Sequence, residues 1–159
     1  MLKTLFILLL LQTSVVQTDY PVKKLWLFSK TVYNGTVPKL PGGGQAKGYY
    51  KKMLCYIEVG KDQPMPAWQT AVLYGKQYVA EAVPVAADSV AVGVIKNTHS
   101  AVVIKAETGY KLVELMLTKP IELEKPEACP VMLSGILNGK PATVRAKDTP
   151  VELAPEMMP

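Results

Sequence analysis

Apolar and polar positions along this chain alternate with a period of two more often than they follow a helical period, and Gly and Pro break the pattern at short intervals. Residues 25–28 predict a first short strand, and 31–37 a second. Residues 38–48 hold two prolines and four glycines and predict a loop. Residues 49–59 mix aromatic, β-branched and lysine side chains and predict a long strand, broken by the glycine and prolines of 60–66. Segments 70–74 and 77–83 flank Gly75-Lys76 like hairpin arms, and 90–95 and 101–105 flank Lys96–Ser100 in the same way. Residues 111–117 fit a strand or a short helix, because Leu112, Leu115 and Met116 also match helical spacing. Segments 131–137 and 142–146 flank Asn138-Gly139, the strongest hairpin signal in the chain. The tail from Pro150 reads as loose and proline-rich. Nine or ten short antiparallel strands with these punctuators predict an all-β sandwich or barrel.

A second regularity overlies the first. Shifted by 64 residues, 57–76 lies over 121–140 without a gap. Ile57/Ile121, Glu58/Glu122, Lys61/Lys125, Pro66/Pro130, Leu73/Leu137, Gly75/Gly139 and Lys76/Lys140 are identical pairs. Gly48-Tyr49 meets Gly109-Tyr110 upstream, and Pro84-Val85 meets Pro150-Val151 downstream, each with a small change of offset. Two tandem repeats, about 48–85 and 109–151, are therefore one building plan for the domain. That plan expects strand–loop–strand units with Ile57 and Ile121 buried, Glu58 and Glu122 exposed, and Gly75 and Gly139 at matching positive-φ turns.

Residues 1–17 read as a secretory signal: Lys3 supplies the positive start, and residues 5–11 (LFILLLL) the apolar segment. That run is far short of the ~20 residues a membrane span needs. Residues 18–159 are then expected to form one secreted β-rich domain. Composition agrees with an ordered chain, 49% hydrophobic and 19% charged. The net charge of +5 is mild, and Arg145 is the only arginine, which argues against nucleic acid. Secretion makes Cys55 and Cys129 the ends of an expected disulfide, with two buried free thiols as the alternative. Asn34-Gly35-Thr36 is an N-glycosylation sequon, so Asn34 is a candidate glycan acceptor.

Candidate chemistry is sparse. His99 is the only histidine, and it adjoins Ser100 in a hairpin turn rather than forming a dyad. No nucleophile elbow, zinc helix or phosphate loop occurs, and Glu114, Glu122, Glu124 and Glu127 lack any calcium-loop spacing. An enzyme, a metal site and a cofactor are therefore not expected. The sharper signal is aromatic. Tyr49, Tyr50, Tyr56, Trp68, Tyr74 and Tyr78 crowd the first repeat, and apart from Tyr110, which meets Tyr49, none of the six recurs in the second. Such rings either fill a β core or present faces that stack on sugars and anchor interfaces.

The order Asn34-Gly35-Thr36-Val37-Pro38, Cys55-Tyr56-Ile57, Pro66-Ala67 and Tyr74-Gly75-Lys76 resembles the tandem-repeat mannose-binding lectins related to natterin, whose repeats are of comparable length and β-rich. That family's glycine-arginine-alanine and serine-histidine-glycine segments are missing, so no site is carried over. The leading expectation is a secreted, non-enzymatic binding protein that recognises carbohydrate or another extracellular surface through its first half. A structural component of an extracellular matrix, egg coat or secretion is the alternative. A third is a protease inhibitor presenting loop 38–48. Expected partners are an extracellular protein or glycan, with homo-oligomer formation open and no membrane span.

Overall fold

The computed structural model describes residues 18–36, 39–44, 47–125 and 128–158. The expected signal segment lies outside the described residues, as does part of loop 38–48. The chain forms β1 (Thr18–Asp19), β2 (Lys24–Tyr33), β3 (Tyr49–Gly60), β4 (Ala67–Leu73), β5 (Lys76–Pro84) and β6 (Ser89–Val94). β7 (Ala101–Lys105), β8 (Tyr110–Glu122), β9 (Val131–Leu137), β10 (Lys140–Ala146), β11 (Val151–Glu152) and β12 (Glu156–Met157) follow. No helix occurs among the described residues, so the all-β expectation stands and 111–117 lies within a strand. The two strands expected over 25–37 are one, β2, because its pairing with β3 runs unbroken from Lys24 to Tyr33.

One large sheet has the order β1-β10-β9-β4-β5-β8-β3-β2-β11, with β12 beside β2. The long strands pair antiparallel, whereas β1, β11 and β12 add short parallel pairings. The sheet curls into a half-barrel. β1 and β2 stand at opposite ends of the strand order yet are consecutive in the chain. Residues 20–23 therefore strap the two edges together: the Tyr20 N–H donates to the Thr143 carbonyl at 2.8 Å, and the Lys23 N–H to the Glu58 carbonyl at 2.9 Å.

Alternation on β3 builds two cores. Cys55, Ile57 and Val59 face the concave side with Leu27, Trp68, Leu73, Tyr78, Val113, Leu115 and Leu133. Leu54 and Tyr56 face outward, where Phe28 and Leu112 join them. The β6–β7 hairpin forms its own two-stranded sheet and lies over this outer face, adding Val92 and Ile104.

Segments 57–76 and 121–140 both run from a strand end through a loop, a strand and a two-residue turn into another strand. Tyr74-Gly75 and Asn138-Gly139 have positive φ at both positions, 49° and 80° against 51° and 74°, as type I′ turns require. Pro66 and Pro130 each directly precede the next strand.

Two burial expectations are corrected. Glu58 is wholly buried rather than exposed, because the β6–β7 hairpin covers the outer face to which it points. Its Oε1 accepts the Glu107 N–H at 2.6 Å, and Lys24, its cross-strand neighbour, stands 4.0 Å from Oε2. Ile121 is 62% exposed rather than buried. A bulge in β8 explains it. On β5, Gln77 and Val79 are two apart, whereas their β8 partners Ile121 and Thr118 are three apart. The extra residue, at Lys119 (φ 51°), reverses the alternation and turns Ile121 out of the core.

Two predictions follow from this packing. An added Cβ on Gly135 would lie 2.6 Å from the Ala67 carbonyl oxygen and 2.9 Å from Trp68 Cα, where the backbone cannot yield. Gly135→Ala is expected to cost roughly 1–3 kcal/mol in urea unfolding. Gly44→Ala, whose Cβ meets only Leu40 at 3.9 Å, should cost nothing measurable. The second prediction concerns the latch on the hairpin. Glu107 hydrogen-bonds Lys23 and Lys24, the latter at 2.6 Å, and these ammoniums hold its carboxyl down to about 2 from an ordinary 4.5. A depressed folded-state value means stabilisation that is complete above 4.5 and is lost as pH falls toward 2. The stability difference between the wild type and Glu107→Gln should therefore close across that window. A difference that stays constant would show that the ion pairs contribute nothing.

Candidate functional site

The six candidate aromatics do not form one surface. Trp68 and Tyr78 belong to the concave core and Tyr56 to the outer core. Trp68 meets Tyr20 edge-on at 5.6 Å, and its indole N–H donates to the Met65 sulfur at 3.4 Å. Tyr20 donates in turn to the Pro64 carbonyl at 3.0 Å. Tyr56 lies under the hairpin, and burial, helped by the nearby Glu114 carboxylate, pushes its phenol up to about 12. Trp68, Tyr78 and Tyr56 are thus buried. Tyr49, Tyr50 and Tyr74 are exposed. Tyr49 packs at 6.0 Å against Tyr33, its β2 partner, while Tyr50 takes the opposite face of β3. Tyr74 sits in the β4–β5 turn and donates its hydroxyl to the Asp148 carbonyl.

Tyr74 and Tyr78 do meet at one place. β3 pairs with β8 only from Cys55 to Gly60. Beyond Leu115, β8 pairs with β5 alone, so the N-terminal half of β3 leaves the sheet on that side. The separation opens a cleft of about 400 Å³ at this end of the half-barrel. Lys51 and Met53 of β3 form one wall, Leu73, Tyr74, Lys76 and Tyr78 the other, and Thr149-Pro150 the margin. Lys76 is engaged by Glu122 at 2.8 Å. Burial raises the Tyr78 phenol above its ordinary range, with Lys76 opposing the shift. Lys51 takes part in no ion pair among the described residues. Sequence reasoning singled out none of Lys51, Met53 or Lys76 as a site residue; which residues share the cleft depends on where β3 and β8 part.

The opposite end holds a cavity of about 430 Å³ bounded by Tyr20, Gln63, Leu137 and Asn138. Two of its polar groups are committed to the strap, with Tyr20 bonded to Pro64 and the Gln63 amide donating to the Pro21 carbonyl at 2.9 Å, and Asp19, Asn138 and Lys140 also line it.

The expected disulfide is absent, and both cysteines are free. Cys55 points into the concave core from the middle of β3, beside Leu27 and Leu115. Cys129 precedes β9 and lies 3.2 Å from the Val131 and Ala146 carbonyls. In the strand order β4, β5 and β8 stand between them. Among the described residues no group of three or more His, Cys, Asp or Glu gathers as a metal site, and no helix is long and apolar enough to cross a membrane. His99 sits in the β6–β7 turn at a φ of 53° and is exposed. Compared with known proteins, the chain matches no family model, no curated protein and no solved structure.

The thiols make a direct test of this geometry. Burial pushes Cys55 up to about 12, so the reactive thiolate is scarce there and access is blocked as well. Iodoacetamide should give the folded protein a single adduct, at Cys129, and a second adduct only in denaturant. Two native adducts, or a linked Cys55–Cys129 peptide, would contradict the structure.

Proposed function

We propose that this chain is a secreted, non-enzymatic binding protein that takes its ligand in the β3–β5 cleft. The supporting observation is the cleft itself: a mostly apolar recess, about 400 Å³ in volume, with a tyrosine and lysines at its margin. Recesses of this size and make-up are where small ligands are held, the apolar floor supplying affinity and the few polar groups orientation. All its β3, β4 and β5 residues come from the first half of the chain, as the aromatic crowding anticipates. A saccharide or a side chain of an extracellular partner would stack there on Tyr74. Asn34, half exposed just after β2, would be the glycan acceptor of such a secreted chain. The common succession of segments 48–85 and 109–151 supports reading them as tandem repeats.

The alternative, a component of an extracellular assembly, draws on a different surface. Val79, Val83, Met116 and Ile121 are exposed on the outer face of β5 and β8, and apolar side chains grouped this way favour self-association. Sizing at increasing concentration separates the two, since a binder stays discrete and a matrix component grows.

The binding reading is tested by amide chemical-shift mapping against a panel of glycans and small amphiphiles. At least one probe should move the signals of Lys51, Tyr74 and Tyr78, and Tyr74→Ala should weaken it on the order of tenfold, as loss of a stacked ring does. Tyr50→Ala, on the other face of β3, should leave binding unchanged. If no probe moves the cleft signals, or if Tyr50→Ala matters as much as Tyr74→Ala, the cleft is not the site.

A further inference from the structure

Taking the cleft as the binding site, we infer that its ligand is an amphipathic anion, an apolar body lying on Met53, Leu73 and Tyr78 with a single carboxylate or sulfate head at Lys51. The walls decide the body. Met53, Leu73 and Tyr78 belong to, or pack against, the concave core, so the surface they turn to the cleft continues that core rather than forming a polar floor. A saccharide can stack on Tyr74 at the margin, but laid along these walls its hydroxyls would face apolar side chains without a partner, so the walls favour an apolar body. The one aromatic hydroxyl at the margin, that of Tyr74, already donates to the Asp148 carbonyl.

The charges decide the head. Lys76 is held by Glu122 at 2.8 Å, so its charge already has a partner. Lys51 has no such partner among the described residues. The acid that senses it, Glu152, is engaged first by Lys96 at 2.9 Å, and its coulombic coupling to Lys51 is the weakest of its interactions. Met53 follows Lys51 two residues along β3, so their side chains share the concave face and stand in line along it. A chain laid over Met53 and Tyr78 thus brings its end group to an uncompensated ammonium. One free cation at the margin of an apolar recess selects one anionic head.

Laurate, dodecanol and dodecyltrimethylammonium carry the same alkyl chain and differ in the head, so they separate the two parts of the inference. Each is titrated below its micellar concentration into the full chain and followed at the Lys51, Met53 and Tyr78 amides. Laurate should bind on the order of tenfold more tightly than dodecanol, the worth of one charge-assisted contact, and the ammonium most weakly. Lys51→Met keeps the apolar stem, and it should bring laurate down to the level of dodecanol while leaving dodecanol unchanged. Lys52→Met, one residue on and on the opposite face, should change neither. Equal binding of the three heads, or a Lys51→Met variant that still prefers laurate, overturns the anionic head. Should no alkyl probe bind while a neutral saccharide moves the same amides, the ligand class is wrong and the site reading stands. If nothing moves them, both fall together.

Discussion

Everything in this fold follows from β3 having to be covered twice. Six consecutive side chains, Leu54 to Val59, are buried, and a strand sends alternate residues to opposite faces. A single-layer sheet satisfies half of them at most. The curl of the large sheet covers Cys55, Ile57 and Val59, and the β6–β7 hairpin covers Leu54 and Tyr56. The hairpin gains from the same contact, since an isolated two-stranded ribbon is marginal in water. Val92 and Ile104 supply what it lacks, at roughly 1.5–3 kcal/mol for each side chain fully buried. The cost falls on Glu58, the one charged member of the run, whose Oε2 has no hydrogen-bond partner.

Closure of the half-barrel and seating of the hairpin share residues for this reason. Glu58 accepts from the Glu107 backbone on the hairpin side, while its own carbonyl accepts from Lys23 at the end of the strap. Lys23 and Lys24 then reach across to the Glu107 carboxylate, and Lys23 rests 4.2 Å from the centroid of the Tyr110 ring. Loosening the hairpin therefore disturbs the strap, although the two belong to different sheets. The exposed ion pairs add little by themselves. Their place beside a buried carboxylate gives them leverage that their exposure alone would deny.

The elements were largely legible in the sequence because they depend on local chemistry. Asn138-Gly139 announces its turn through the positive φ that both residues tolerate, and the β6–β7 arms were readable from spacing alone. What depended on distant chain was not legible. The burial of Glu58 is set by a hairpin some forty residues away, and Ile121 is turned outward by a bulge that no short-range pattern marks. The short parallel pairings of β1, β11 and β12 likewise depend on where the sheet's edges come to lie. Which of the aromatic residues are buried and which are exposed was not legible. Aromatic crowding pointed to the first half, but a tyrosine in a strand has the same composition whether it faces core or water. Trp68 and Tyr78 are buried in the concave core and Tyr56 beneath the hairpin, and only Tyr74 and Tyr78 reach the cleft.

The bulge links the fold to the cleft. A regular β8 would keep its odd positions inward beyond Leu117, placing Lys119 and Ile121 on the concave side. An apolar Ile121 there would extend the core toward the ground now left to the cleft beside Tyr78. The extra residue at Lys119 ends that continuity: Ile121 faces out, and the pairing of Lys76 with Glu122 resumes in the shifted register. Bulges bend the strand that carries them and raise its twist, which suits a β8 that parts from β3 after Leu115 while staying with β5. Pro120, which has no N–H to offer a ladder, sits where the ladder is already interrupted. Local irregularity in one strand thus gives up a buried isoleucine, and in return a core that would have closed stays open at one end.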